Sequence, residues 1–182
     1  MATLRKAEIG DAPGIALVHV RSWQVAYRGQ MPDEVLDSLD VEKRATMWRD
    51  ILQNPDKIVI VAEDRQRTII GFAALGASRD ADANGKTAEV MALYVHPEQW
   101  RKGIGRALLS ESLDQVGKYE FAQITLWVLE TNRQARDFYQ SFGFTRDGAT
   151  KDDDPGQDFV VRELRYRLDL AATEHRKNRE AL

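Results

Sequence analysis

The chain has no cysteine among its 182 residues. That excludes disulfides, thiolate metal ligands and a cysteine nucleophile together. Histidine is scarce too: His19, His96 and His175 are scattered, without the paired spacing of a metal site, so no metal is expected. No apolar run is long enough to span a bilayer, and the opening MATLRKAEIGD lacks a signal peptide's apolar core. A cytoplasmic address with no membrane partner is the expectation. Neither sign of charge dominates: 26 Lys and Arg against 29 Asp and Glu leave a formal net charge of -3. That balance gives no electrostatic reason to bind nucleic acid.

What is present is an ordinary globular composition, 43% hydrophobic and 30% charged. The length suits one domain, expected over 1–170, followed by a mostly charged tail over 171–182. There is no internal repeat and no internal linker.

A short strand near Thr3–Ala7 leads to Gly10, Asp11 and Pro13, a helix start with Asp11 as the expected cap. Ala16, Val20, Trp23 and Tyr27 then fall on one helical face, and Arg28–Pro32 breaks the helix. A second helical region runs through Val35 and Leu36 to Met47, Trp48, Ile51 and Leu52. Strand-like runs follow at Lys57–Glu63 and Ile69–Ala77, then a polar loop Arg79–Lys86 and a third run Thr87–Val95. A Gly-containing turn opens a helix expected to reach Tyr119; Phe121–Leu129 alternates as a strand. Asn132–Phe142 puts Ala135, Phe138, Tyr139 and Phe142 on one face, and Phe144–Ala149 with Phe159–Leu168 reads as a closing antiparallel pair. The order is β-α-α-β-β-β-α-β-α-β-β, an α/β plan with a mostly antiparallel mixed sheet.

The most informative segment is the turn Arg101-Lys102-Gly103-Ile104-Gly105-Arg106 after the strand ending at Val95. Gly103 and Gly105 let backbone N–H groups approach a ligand, the helix start adds its positive dipole end, and Arg101, Lys102 and Arg106 add cations. The combination suits a pyrophosphate. Other glycine motifs fail: G-x-G-x-x-G would need a small residue at Leu108, and Gly85-Lys86-Thr87 lacks the earlier Walker glycine, which falls at Asp80. Asp80–Gly85 starts like a calcium loop, but its twelfth position is Met91, so it reads as a hydrophilic hairpin loop.

Val95–Ala107 resembles motif A of the GNAT (Gcn5-related N-acetyltransferase) superfamily, [RQ]-x-x-G-x-[GA]. Asn132–Phe144, NRQARDFYQSFGF, resembles its motif B, N-x-x-A-x-x-F-Y-x-x-x-G-F. The likeness covers Leu4 to Leu168, with one departure: Trp100 stands at the usual Arg or Gln. It implies a sheet of about seven strands flanked by about four helices, with its central strands splayed. It also implies acetyl-CoA as co-substrate, with backbone groups from Leu93 through Tyr94 to Val95 pairing with the pantetheine arm as an added strand would. Arg101–Arg106 would hold the pyrophosphate and Asn132 would bond the arm.

Acetyl transfer needs a neutral amine to attack the thioester and a thiolate to leave. By spacing alone Tyr139 reads as a core aromatic, since it shares a face with Ala135 and Phe142; because it matches the motif B tyrosine that points at the thioester sulfur, the resemblance makes it the candidate acid. Glu89 is the only charge in Thr87–Tyr94. It is the candidate base, matching a glutamate that some family enzymes carry there; the other reading is a solvent-facing residue at a strand start. For the acceptor the resemblance implies the first helices, hence Trp23, Tyr27 and Arg28, which also read as core packing plus a helix stop. The expected partner is a small amine or a protein amino group, and a homodimer through Phe159–Leu168 is one option beside a monomer. The alternatives are another acyl-CoA donor, or a non-catalytic CoA-binding regulatory module.

Overall fold

The computed structural model describes residues 2–153 and 160–170. Part of the acidic loop, with Phe159, and the tail expected from 171 lie outside the described residues. Seven strands form one sheet in the order β1-β2-β3-β4-β5-β7-β6. They are β1 (Thr3–Lys6), β2 (Ile58–Glu63), β3 (Ile69–Ala77), β4 (Thr87–Val95), β5 (Gln123–Leu129), β6 (Thr145–Asp153) and β7 (Val161–Asp169). The helices are α1 (Ala12–Ala26), α2 (Asp33–Asp37), α3 (Val41–Gln53), α4 (Ile104–Val116) and α5 (Arg133–Ser141). One extra helix apart, the element order follows the sequence pattern; β4 with β5 is a parallel pair, while β1–β2, β2–β3, β5–β7 and β6–β7 are antiparallel. The β4–β5 ladder runs over Thr87–Val90 with Gln123–Leu126, although both strands extend beyond it.

By packing, the described chain falls into two compact units. The first holds residues 2–76 and 91–114, the second residues 77–90, 115–153 and 160–170, so β4 changes unit after Val90. In the first, the inner faces of α1 and α3 (Ile15, Val18, Ala45, Trp48) bury against Val59, Val61, Phe72 and Ala74 of β2 and β3. In the second, Ile124, Leu126 and Val128 of β5 lie buried with Leu164, Tyr166 and Leu168 of β7, alternating as a half-covered sheet requires.

Some expectations need correction. Asp11 stands at the N-cap of α1, but its side chain makes no cap bond to the helix. Its carboxylate instead takes two bonds from Arg5 and the backbone N–H of Glu8. The two-pronged pair with a guanidinium, charged on both sides, wins over a cap bond in which only the carboxylate is charged. The second helical region is two helices: Asp40 accepts from the N–H groups of Glu42 and Lys43 and restarts the chain as α3. Helix α4 ends at Val116, three residues before Tyr119. Strand β6 extends to Asp153, past Ala149, because Gly148, at φ 96°, absorbs a shift in register between Arg146 and Thr150.

Candidate active site

The turn after β4 belongs to the first unit. The carbonyl of Val95 accepts two side-chain bonds, from Ser22 Oγ at 2.9 Å and from the indole Nε1–H of Trp100 at 2.7 Å. The next N–H, of His96, donates to Ile70 of β3 at 2.9 Å. The peptide that closes β4 is therefore held on both sides. A single turn of 3₁₀ helix, Pro97–Gln99, follows. Arg101 and Gly103 then take φ values of 63° and 80°, and α4 begins at Ile104. The first α4 bond runs from Ala107 N–H to Gly103 C=O at 3.0 Å, which leaves the N–H groups of Ile104 and Gly105 outside the helical ladder.

A Cβ placed on Gly103 would meet no atom within 4 Å. The conformation, rather than a clash within the protein, demands glycine there, and the space above it is open to a ligand. Gly71 of β3 does the opposite job: a Cβ there would come within 3.1 Å of Leu108 and 3.3 Å of Ile104. Its absence lets the start of α4 lie close on the sheet. Beside the turn is an open groove of about 490 Å³, bordered by Gln99, Lys102 and Gly103 and by Asp64, Arg65 and Gln66 of the β2–β3 turn. Backbone amides, a helix start and cations are what a phosphate needs.

The acceptor candidates lie in the same unit. Trp23 meets Tyr27 edge-on at 5.2 Å and His19 at 5.5 Å, and His19 stacks on Tyr94 of β4 at 5.0 Å. Two of the proposed acceptor residues are thus joined to β4 by a histidine that sequence reading set aside. His19 accepts from Trp48 Nε1–H at 3.2 Å; burial, then the Arg44 charge, push its pKa down to about 3, so it is neutral. Arg28 differs from Trp23 and Tyr27: its guanidinium bridges Asp33 at 2.9 Å and Asp37 at 2.8 Å, anchoring α2.

The second unit carries Glu89, Asn132 and Tyr139. Asn132 caps α5 through Oδ1, which accepts from Ala135 N–H at 3.0 Å. The cap fixes the side chain while using only its carbonyl, so the amide N–H₂ keeps its donors. Tyr139 lies seven residues on, two turns later on the same face, and is 9% exposed. Gly143, at φ 92°, ends the helix. Its N–H reaches Gln140 C=O at 2.9 Å and that of Phe144 reaches Tyr139 C=O at 3.2 Å, with the Phe144 ring 5.9 Å from Tyr139. This is a Schellman ending with its apolar contact, and it explains why G-F follows the tyrosine.

Glu89 is 2% exposed, so it does not face solvent. Its carboxylate accepts from Arg79 Nε and from Arg79 N–H, both at 3.1 Å, and from a second guanidinium nitrogen. Burial pushes the carboxyl up, but the Arg79 bonds and charge outweigh it and hold the pKa below its ordinary value. Arg79 carries no motif; its one sequence signal is being a cation at a loop start beside a strand with one buried acid. The hairpin loop also has an internal cation. Asp80 and Asp82 both hold Arg165 of β7, and Asp80 accepts from Trp127 Nε1–H at 3.0 Å.

A sequence profile of the acetyltransferase (GNAT) family matches residues 20–144. The chain belongs to that family, and is an enzyme of the N-acetyltransferase class. It is 34% identical to the N-acetyltransferase YuaI of Bacillus subtilis (strain 168) over 142 residues, 78% of this chain and 79% of that one. It is 27% identical to the spermidine N(1)-acetyltransferase of Thermoplasma acidophilum, over 87% of this chain and 94% of that one. In fold it is similar to the PaiA N-acetyltransferase of Thermoplasma acidophilum, solved in complex with coenzyme A. The TM-score is 0.73 at 24% identity, covering 93% of this chain and 99% of that one.

Proposed function

We propose that this enzyme moves an acetyl group from acetyl-CoA to a primary amine by direct attack, without an acyl-enzyme. The observation that carries the reading is the turn Arg101–Arg106: a Gly103 open to ligand, N–H groups outside the helical ladder, and three cations beside them. Coenzyme A is the ligand with a pyrophosphate that family membership points to. In this reading Leu93, Tyr94 and Val95 pair with the pantetheine arm, Asn132 donates its amide to it, and Val95 N–H takes the developing oxyanion.

The amine nitrogen bonds to the thioester carbon, the C–S bond breaks, and the sulfur takes its proton from the Tyr139 phenol. The proton lost by the amine goes to water, and the Tyr139 phenolate takes one back from water, which closes the balance. Glu89 enters as a fixed negative charge: a poised base would have its pKa raised toward neutrality, whereas Arg79 pulls this one the other way. Trp23 and Tyr27 line the acceptor side, where their faces suit an ammonium or its apolar stem; the acceptor class is a small polyamine-like amine or a protein amino group. The proposed catalytic domain spans 1–170 of the sequence.

The reading is tested by calorimetric titration with acetyl-CoA, succinyl-CoA and free CoA, followed by thiol-release kinetics with an amine panel. Gly103→Leu is expected to weaken acetyl-CoA binding, and Tyr139→Phe to lower turnover far more than that affinity. Lack of binding to any CoA species by folded protein would overturn the proposal. Equal loss of turnover and affinity in Tyr139→Phe would remove the acid role.

A further inference from the structure

Trp100 stands where motif A has a charged or amide side chain, and its only polar group is already used. An indole has one N–H, and here it donates to Val95 C=O at 2.7 Å, so it has no donor left for a phosphate. The residue that follows, Arg101, is the unusual one: φ 63° is a left-handed conformation that a residue with a Cβ adopts only at a cost. Glycine would adopt it freely.

The tethers around Trp100 explain why an arginine tolerates it. Trp100 N–H is bonded to Pro97 C=O at 3.2 Å, its indole to Val95 at the end of β4, and Val95 in turn to buried Ser22. The side chain of residue 100 is tied to the strand end and its backbone to the short turn that follows it. From that fixed exit a left-handed step at 101, with a second at Gly103, carries the chain to the first α4 bond at Ala107. Resting on the reading of this turn as the pyrophosphate cradle, we propose that Trp100 is a positioning residue. Its indole strut to Val95 holds Arg101 left-handed and so keeps the cradle formed before the ligand arrives. Without the strut Arg101 relaxes, the cradle-competent state becomes a minor one, and apparent affinity falls by the lost fraction.

The proposal makes Trp100 and Arg101 coupled, which a merely structural tryptophan would not be. With the natural Arg101, W100F is expected to weaken acetyl-CoA binding by about tenfold, the size of one left-handed penalty. In the R101G background the same substitution should cost at most about twofold, since glycine needs no strut. The ligand-free chain gives an independent reading. R101G should raise the thermal midpoint of the otherwise unaltered protein and leave that of W100F unchanged, and the Trp100 indole proton should exchange slowly. Equal losses of affinity in both backgrounds, equal midpoint shifts, or an indole proton exchanging at the solvent rate would overturn the strut. If the unaltered protein bound no CoA species, the cradle reading would fall, and the unfolding cycle and indole exchange would still decide whether Trp100 holds Arg101.

Discussion

His19 shows how a single side chain becomes visible only in three dimensions. On the sequence it is an isolated histidine; in the fold it lies among Trp23, Trp48, Phe72 and Tyr94. Its pKa lies below the ordinary 6.5, so the unfolded chain binds a proton there that the native state refuses. Stability is therefore full above about pH 6.5 and declines as pH falls toward 3, by at most about 1.4 kcal/mol per pH unit. His19→Phe is expected to flatten urea-unfolding stability between about pH 6 and 4.5, before most carboxylates titrate. The same slope in both proteins would mean that His19 is not held neutral. Arg28 is the opposite case: sequence position made it an acceptor candidate, and its bonds to Asp33 and Asp37 give it a place in a helix anchor.

At the scale of elements, α5 carries its catalytic candidate through its two ends. Asn132 starts the helix with its side-chain oxygen, and Gly143 stops it in a conformation that glycine adopts without penalty. Gly143→Ala keeps the apolar face but forces a Cβ into the left-handed region, at a cost of about 1–2 kcal/mol. Urea unfolding should register that loss, and the displaced Phe144 contact should lower turnover through Tyr139 before the fold is lost. An unchanged midpoint would show that the Schellman ending is dispensable. The motif was legible because its spacing is set by local geometry: a cap, two turns of helix, and a left-handed stop. The α2–α3 break was missed because the apolar period continues across Ser38–Asp40, and only the cap bonds of Asp40 reveal the restart.

Across the molecule, charge joins segments far apart in the chain. Arg165 of β7 meets Asp80 at 3.1 Å, Asp82 at 2.6 Å and Asp147 at 2.7 Å, while its guanidinium lies 5.6 Å from the Trp127 ring. The Arg165 side chain is 13% exposed, with Asp147 at 10% and Asp80 at 15%, so removing the cation leaves covered carboxylates without their partner. Arg165→Met should cost about 2–3 kcal/mol of unfolding free energy. Asp82→Asn, at an exposed partner, should cost no more than about 0.5 kcal/mol. Similar losses from both would mean that the cluster does not depend on burial. Sequence reading gave Asp80–Gly85 as a hydrophilic hairpin loop and had no means of naming the arginine 85 residues away from Asp80 that its acids hold.

The amino-acid order alone determined the family, the succession of strands and helices, and the glycine turn with its cations. These depend on periodicity and on backbone conformations that few residues can adopt, and both are properties of neighbours in sequence. What only the tertiary structure decided is which polar groups are already spent. Glu89 belongs to Arg79, Arg28 to two aspartates, and the Trp100 indole to a strand carbonyl. The physical reason is that a buried or half-buried polar group must find a partner, and which partner it finds depends on distances between segments that no local pattern encodes.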